Sequence, residues 1–306
     1  MKALALAFAA ALFVGQAARP VTLLSEVREA IAAHDLTRAE GLVATRRAEQ
    51  GTTPEVIEAI SWLGRGALSE RQLDRAEKHA LEAYTLAVNS LGTRPVDSDA
   101  KLATAIGAGM EVQAQVSAAQ GARSEAVTYL QRELDKYRHT SLVKRIHKNI
   151  NLLSLQGVPA PALDLSETIG RGRPEVDATK GKVVVLFFWA HWCPDCKTQG
   201  PILAKLLAKY QSDGLTIVAP TQRFGYVAGG RPASPGDELR YIVEIRDQYY
   251  GFLADKLVPV SVANHERYGV STTPTLVILD RKGLVRQYHP GQMTEAELEA
   301  QIRPLL

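Results

Sequence analysis

The amino-acid sequence predicts a chain of two unlike parts: an all-α, repeat-like helical half, then an α/β half with a central mixed sheet flanked by helices. Three observations predict it. From about Val21 to Leu155 helix-start signals recur and strand signals are absent. Beyond the Pro- and Gly-rich stretch LQGVPAPALDLSETIGRGRPEVDATKGK, apolar β-branched runs alternate with helix-spaced apolar residues, the pattern of strands covered on both faces. The only two cysteines of the 306 residues, Cys193 and Cys196, lie three apart where a strand gives way to a helix.

The length admits one or two domains. A composition of 46% hydrophobic and 23% charged residues is that of an ordinary soluble protein. The net charge of +3, from 36 Lys and Arg against 33 Asp and Glu, comes without the basic domain or stripe of a nucleic-acid binder, so no nucleic-acid partner is expected. Residues 1–17 are expected to be a signal peptide. Lys2 is followed by an apolar run from Ala3 to Val14, and Gly15-Gln16-Ala17 supplies small residues for cleavage after Ala17. The run is shorter than the roughly 20 residues of a bilayer span, and no cysteine follows it for lipid attachment. The expected location is periplasmic or secreted, with an uncleaved membrane anchor as the alternative. An exported chain lives where disulfides persist. With no spare cysteine, this pair must act with each other or with a substrate.

Residues 18–156 are expected to form the helical domain. Thr37 with Glu40, and Ser69 with Gln72, fit capping boxes. Thr53-Pro54 places a cap before a proline at the first helical position, and Gly51, Gly92 and Gly121 punctuate the segments. In AISWLGRGALSERQLDRAEKHALEAYTLAVN, the residues Leu63, Gly64 and Ala67 on one helix face Ala76, Ala80 and Ala83 on the next. Such small residues let two antiparallel helices approach closely. The spacing resembles a tetratricopeptide repeat, a helical hairpin of about 34 residues, with weaker echoes around Ala39 and Ala126. A domain of this kind either binds a protein partner on its concave face or serves as a helical cap. The basic segment KYRHTSLVKRIHKN, with Lys136, Arg138, Lys144, Arg145 and Lys148, reads as cations at a helix C-terminus.

Residues 157–306 are expected to form the α/β domain. KVVVLFFWA is a strand buried on both faces, and GPILAKLLAKYQ is a helix with Ile202, Leu203, Leu206, Leu207 and Tyr210 on its apolar side. LTIVAPT is a second buried strand. TLVILD and LVRQYHP form a hairpin turning at Asp280-Arg281-Lys282-Gly283, and Thr294 with Glu297 caps a last helix. A β-α-β unit followed by a hairpin and a helix gives a mixed sheet between helices. The long segment TQRFGYVAGGRPASPGDELRYIVEIRDQYYGFLADK carries a Gly- and Pro-rich loop and a helix near Leu239 to Leu253. Its Tyr241, Tyr249 and Tyr250 are expected to pack on the sheet, with lining of a substrate groove as the alternative.

Cys193 falls at the helix start, where free N–H groups and the helix dipole stabilise a thiolate, the nucleophile of disulfide exchange. Cys196, one turn on, faces the same side and can resolve a mixed disulfide. FFWAHWCPDCK resembles the active-site motif of the thioredoxin superfamily. GVPAPALDL before GKVVVLFFWAHWCPDC resembles the start of TlpA/ResA-like exported thiol–disulfide oxidoreductases, and YGVSTTPTLVILDRKG resembles their cis-proline segment. The resemblance runs from about Gly157 to Leu306. It implies a thioredoxin-like fold and catalysis by Cys193 and Cys196 as a redox-active disulfide. It implies no bound cofactor and no metal. It also implies a cis Thr273-Pro274 bond and substrate binding by Trp192, Thr273 and Pro274, with Pro194, Asp195 and Lys197 tuning the pair. A negative Asp195 disfavours the thiolate and Lys197 favours it. The implied partners are a protein thiol or disulfide substrate and a membrane or periplasmic redox protein.

The sequence departs from that family at two acids. Phe187 stands where thioredoxins carry a buried Asp, and Gln199 where ResA-like proteins carry a Glu, so neither supplies a proton acceptor for Cys196. His191 is expected to be exposed, with tuning of the cysteine pair as the alternative, and Trp189 to be packing. Two other function classes compete. One is copper or zinc binding by both thiolates with His191 or His265, since two sulfurs suit soft metals. The other is an adaptor whose helical half binds a partner.

Overall fold

The computed structural model of the chain describes residues 22–170 and 180–306; the expected signal peptide at 1–17 lies outside the described residues. Seven helices come first: α1 (Leu23–Ala32), α2 (Leu36–Gln50), α3 (Pro54–Ser69), α4 (Leu73–Leu91), α5 (Ala100–Ala119), α6 (Arg123–Lys136) and α7 (Val143–Ser154). Thr53 caps α3 by accepting from the Val56 N–H at 3.4 Å, with Pro54 in the first helical position. Gly51 and Gly92 close α2 and α4 at φ of 74° and 59°, conformations that favour glycine. The two capping boxes expected here are absent. Asp35 caps α2 through the Arg38 N–H at 2.9 Å, because the helix starts early enough to bury Leu36. Ser69 ends α3 and donates to the Gly66 carbonyl within its own helix, and Gln72 precedes α4 with no side-chain cap.

The small residues do what their spacing predicts. Ala76, Ala80 and Ala83 are buried. A Cβ on Gly64 would lie 3.3 Å from the Ala80 N on one side, and one on Gly109 2.8 Å from the Ala80 O on the other, so α4 is pressed between α3 and α5. Lys136 of the basic segment ends α6, as expected of a cation at a helix C-terminus, but the later cations do not. Lys144, Arg145 and Lys148 lie on the first turns of α7. Glu111 of α5 is approached by Lys148 at 3.0 Å, by Arg65 of α3 at 3.5 Å and by Arg145 at 3.8 Å. Burial opposes the charge on Glu111, but the three cations outweigh it and hold the carboxyl below its usual range.

The second half contains β1 (Thr168–Ile169), β2 (Val183–Phe188), α8 (Pro194–Tyr210), β3 (Leu215–Val218), β4 (Tyr226–Val227), β5 (Arg231–Pro232), α9 (Pro235–Tyr249), β6 (Val258–Pro259), α10 (Val262–Arg267), β7 (Thr275–Leu279), β8 (Val285–Pro290) and α11 (Glu295–Ile302). The main sheet has the order β3-β2-β7-β8. β2 pairs in parallel with β3, Val185 opposite Ile217, and antiparallel with β7, Val185 opposite Ile278. Alternate residues of β2 enter different cores. Val183, Val185 and Phe187 pack with α8, α9 and α11, while Val184, Leu186 and Phe188 pack with Tyr268 and Val270. That two-sided burial explains the unbroken apolar run. Thr294 and Glu297 form the expected capping box on α11.

The end of α7 belongs to the second of these cores, through Leu152 and Leu155. Gly269, at φ 61°, meets the backbone of α7 so closely that a Cβ there would lie 2.2 Å from the Lys148 N. Asn151 Nδ2 donates to the Arg267 carbonyl at 3.4 Å beside this contact.

Candidate active site

The site forms where β2 ends and α8 begins. The turn between them is anchored beneath. Trp189 Nε1 donates to the Ala219 carbonyl at 2.9 Å, and Thr221 Oγ1 donates to the Trp189 carbonyl at 2.8 Å. Cys193 is the N-cap of α8, and Pro194 takes the first helical position, where no amide hydrogen is needed. The Cys196 N–H donates to Cys193 Sγ at 3.1 Å. The two cysteines are joined by a disulfide, Cα to Cα 5.3 Å. Cys196 is fully buried and Cys193 is 2% exposed.

Thr273-Pro274 is a cis peptide bond. It brings the Thr273 carbonyl oxygen to 3.3 Å from Cys193 Sγ. The loop is held on both sides, by Thr275 Oγ1 donating to the Thr272 carbonyl at 2.7 Å and the Gly291 N–H donating to the Pro274 carbonyl at 2.8 Å. Two further bonds tie the approach to α11 onto α8. Gln292 Nε2 donates to the Asp195 carbonyl, and the Met293 N–H to Gln199 Oε1, each at 2.9 Å.

Of the residues singled out in the sequence, Cys193, Cys196, Thr273 and Pro274 come together. Trp192 stands beside them, 46% exposed. Pro194 and Asp195 are exposed on the first turn of α8. Lys197 places its ammonium over the Tyr249 ring, 4.5 Å from the centroid. Phe187 is buried with its ring edge-on to Tyr250 at 5.5 Å, so an apolar contact occupies the position of an acid in thioredoxins. Tyr250 also meets Trp189 at 4.9 Å; of the three tyrosines in the long segment, it is the one packed wholly inside.

His191 is not exposed. It is completely buried, with Nε2 3.1 Å from Glu238 Oε1. The long segment folds over it and surrounds it with Phe224, Tyr226 and Tyr241, ring centroids 5.4, 5.5 and 5.2 Å away. Burial holds the imidazole below its ordinary pKa against the opposing pull of Glu238. Glu238 went unrecognised in the sequence because an acid in the first turn of a helix reads as a dipole partner. Its signal is the match of an interior carboxylate with a histidine 47 residues away, which spacing alone does not reveal. His265 is also buried, edge-on to Phe188, with Nδ1 3.3 Å from the Ser261 carbonyl. Among the described residues no three His, Cys, Asp or Glu side chains come together as a metal site.

A family model described as Redoxin matches residues 155–302. The thiol-disulfide oxidoreductase ResA of Bacillus thuringiensis (strain Al Hakam) is 27% identical over 153 residues, 49% of this chain and 78% of that protein. The thioredoxin-like protein YneN of Bacillus subtilis (strain 168) is 30% identical over 147 residues, 48% of this chain and 78% of that protein. The chain belongs to the TlpA/ResA-like branch of the thioredoxin superfamily. A solved structure of a DsbE thiol:disulfide interchange protein from Chlorobium tepidum is also similar, with 26% identity, 49% of this chain and 96% of that one covered, and a TM-score of 0.37. This TlpA/ResA-like protein is a thiol–disulfide oxidoreductase with a thioredoxin-like second half and an all-helical first half.

Proposed function

We propose that the protein exchanges dithiol for disulfide at Cys193 and Cys196 on exported protein substrates. The observation that carries the reading is the pairing of the two cysteines at the start of α8, with Cys193 Sγ against the Thr273 carbonyl. Starting from the disulfide, a substrate thiolate attacks Cys193 Sγ. The Cys193–Cys196 bond breaks, and its electron pair leaves on Cys196 sulfur. The second substrate thiol, as thiolate, then attacks the substrate sulfur of the mixed disulfide. The substrate leaves oxidised, and Cys193 leaves as a thiolate. Two electrons pass from the substrate to the pair, and the reverse sequence reduces a substrate disulfide. The N–H of Cys196 and the dipole of α8 stabilise negative charge on Cys193. Full burial of Cys196 leaves Cys193 as the sulfur a substrate meets, beside Trp192, Thr273 and Pro274. Pro194, Asp195 and Lys197 tune the pair.

The domain reading accompanies this: a signal peptide at 1–17, a tetratricopeptide-like domain at 18–156 that binds a protein, and the catalytic domain at 157–306. Export would place the pair among periplasmic or secreted substrates and a membrane or periplasmic redox partner. No described helix is long and apolar enough to cross a membrane.

Equilibration of the purified chain with defined thiol buffers tests the reading and gives its direction. A potential near thioredoxin's, about −270 mV, marks a reductant, and one near about −120 mV a disulfide donor. Cys193→Ser should abolish exchange, and Cys196→Ser should accumulate mixed disulfides. Exchange at the wild-type rate in Cys193→Ser would overturn the proposal.

A further inference from the structure

The segment between β3 and β6 is tied to the active-site turn at one buried point. Glu238, near the start of α9, is 1% exposed. Its carboxylate accepts from the backbone N–H of Phe224, from that of Gly225 at 2.9 Å, and from His191 Nε2 at 3.1 Å. A carboxylate only accepts, so Nε2 carries the imidazole hydrogen. Phe224, fixed through its own backbone, reaches past His191 to Trp192, where the rings meet edge to face with centroids 5.5 Å apart. Tyr226 continues the surface, 6.3 Å from Phe224. The neighbouring cation, Arg223, is turned away into a two-pronged pair with Glu167. The residue next to Cys193 is therefore one end of a partly exposed, uncharged aromatic ledge, Trp192–Phe224–Tyr226, braced from beneath by His191 and Glu238. The buried hydrogen bond from neutral His191 to the Glu238 carboxylate fixes where Phe224 stands.

We propose that Phe224 determines specificity in the exchange reaction, forming with Trp192 and Tyr226 a ledge that receives an apolar or aromatic side chain flanking the substrate's cysteine. His191 and Glu238 are the positioning residues of that ledge. The proposal rests on the reading that Cys193 and Cys196 are the exchange site. Thr273 and Trp192 both adjoin Cys193, and an extended substrate chain sends alternate side chains to opposite sides. The side chain adjoining the reacting cysteine can then lie on the ledge.

The test uses the full chain and two disulfide-bonded peptides identical except for Phe or Ala next to the reacting cysteine. Wild type should react about tenfold faster with the Phe peptide, the scale of one aromatic edge contact. In Phe224→Ala that ratio should fall to near one. Phe224→Leu, which keeps apolar bulk and guards against a misfolded alanine variant, should give an intermediate ratio. Glu238→Gln, which keeps the Phe224 side chain but cannot accept all three hydrogen bonds that position it, should lower the ratio and shift Trp192 emission, a shift absent when Trp192 is replaced by Phe. An unchanged ratio in both Phe224 variants would overturn the ledge while leaving exchange at the cysteines intact. Reaction with neither peptide, together with a Cys193–Cys196 pair inert in thiol buffers, would overturn the underlying reading and the ledge with it.

Discussion

At the scale of single residues, the buried histidines make the protein sensitive to acid. Burial drives the His265 pKa down to about 3, and it lowers that of His191. Each stays neutral in the fold but takes up a proton near pH 6.5 once unfolded. Their contribution is therefore intact above that pH and is lost as pH falls from about 6.5 towards the folded values. Chemical denaturation should show stability dropping from pH 6.5 to 4, by up to about 1.4 kcal/mol per pH unit for each such group. His265→Leu should flatten that slope; an unaltered slope would remove His265 as its source. The position of the cysteine pair at a helix start was legible from its three-residue spacing after a strand, and the cis Thr273-Pro274 bond from the resemblance of its segment to the family's. His191 was misread as exposed, because a polar residue beside an active-site motif looks solvated until the 47-residue excursion to Glu238 closes over it.

At the scale of elements, the ends of helices and the seams between them carry the testable energies. Thr294→Ala removes a capping box and should cost about 1 kcal/mol in a denaturant titration, since α11 holds Leu298 and Ile302 in the core below the site. Gly109→Leu drives a side chain into the Ala80 carbonyl and should destabilise the helical half by ~1–3 kcal/mol while the potential of the cysteine pair stays where it was. The long elements were readable: the two-sided strand β2, the hairpin of β7 and β8, and α3 against α4. The two-residue strands β1, β4, β5 and β6 were not, because strands that short have no periodicity to display. The misplaced capping boxes show the same limit. The residue pattern was present at Thr37 and Ser69, but the burial of Leu36 and the loop lengths decided where the helices began.

At the scale of the whole molecule, the two halves meet backbone to backbone at Gly269 and α7. Gly269→Val adds both a strained φ and a clash with Lys148. It should cost about 2 kcal/mol or more and speed amide exchange across residues 147–151, a signature that loosening elsewhere would not give. Gly269 lies four residues before Thr273, in the chain that leads to the loop against Cys193. The junction therefore limits which amino-terminal module this second half can carry. A different amino-terminal module can replace this one only if it ends in a helix whose first turns offer bare main chain to Gly269 and whose last turn delivers two apolar residues to the sheet, as Leu152 and Leu155 do. A module joined by a free tether would leave an unfilled notch behind the loop that faces Cys193, so a working exchange of modules should carry α7 along with the second half.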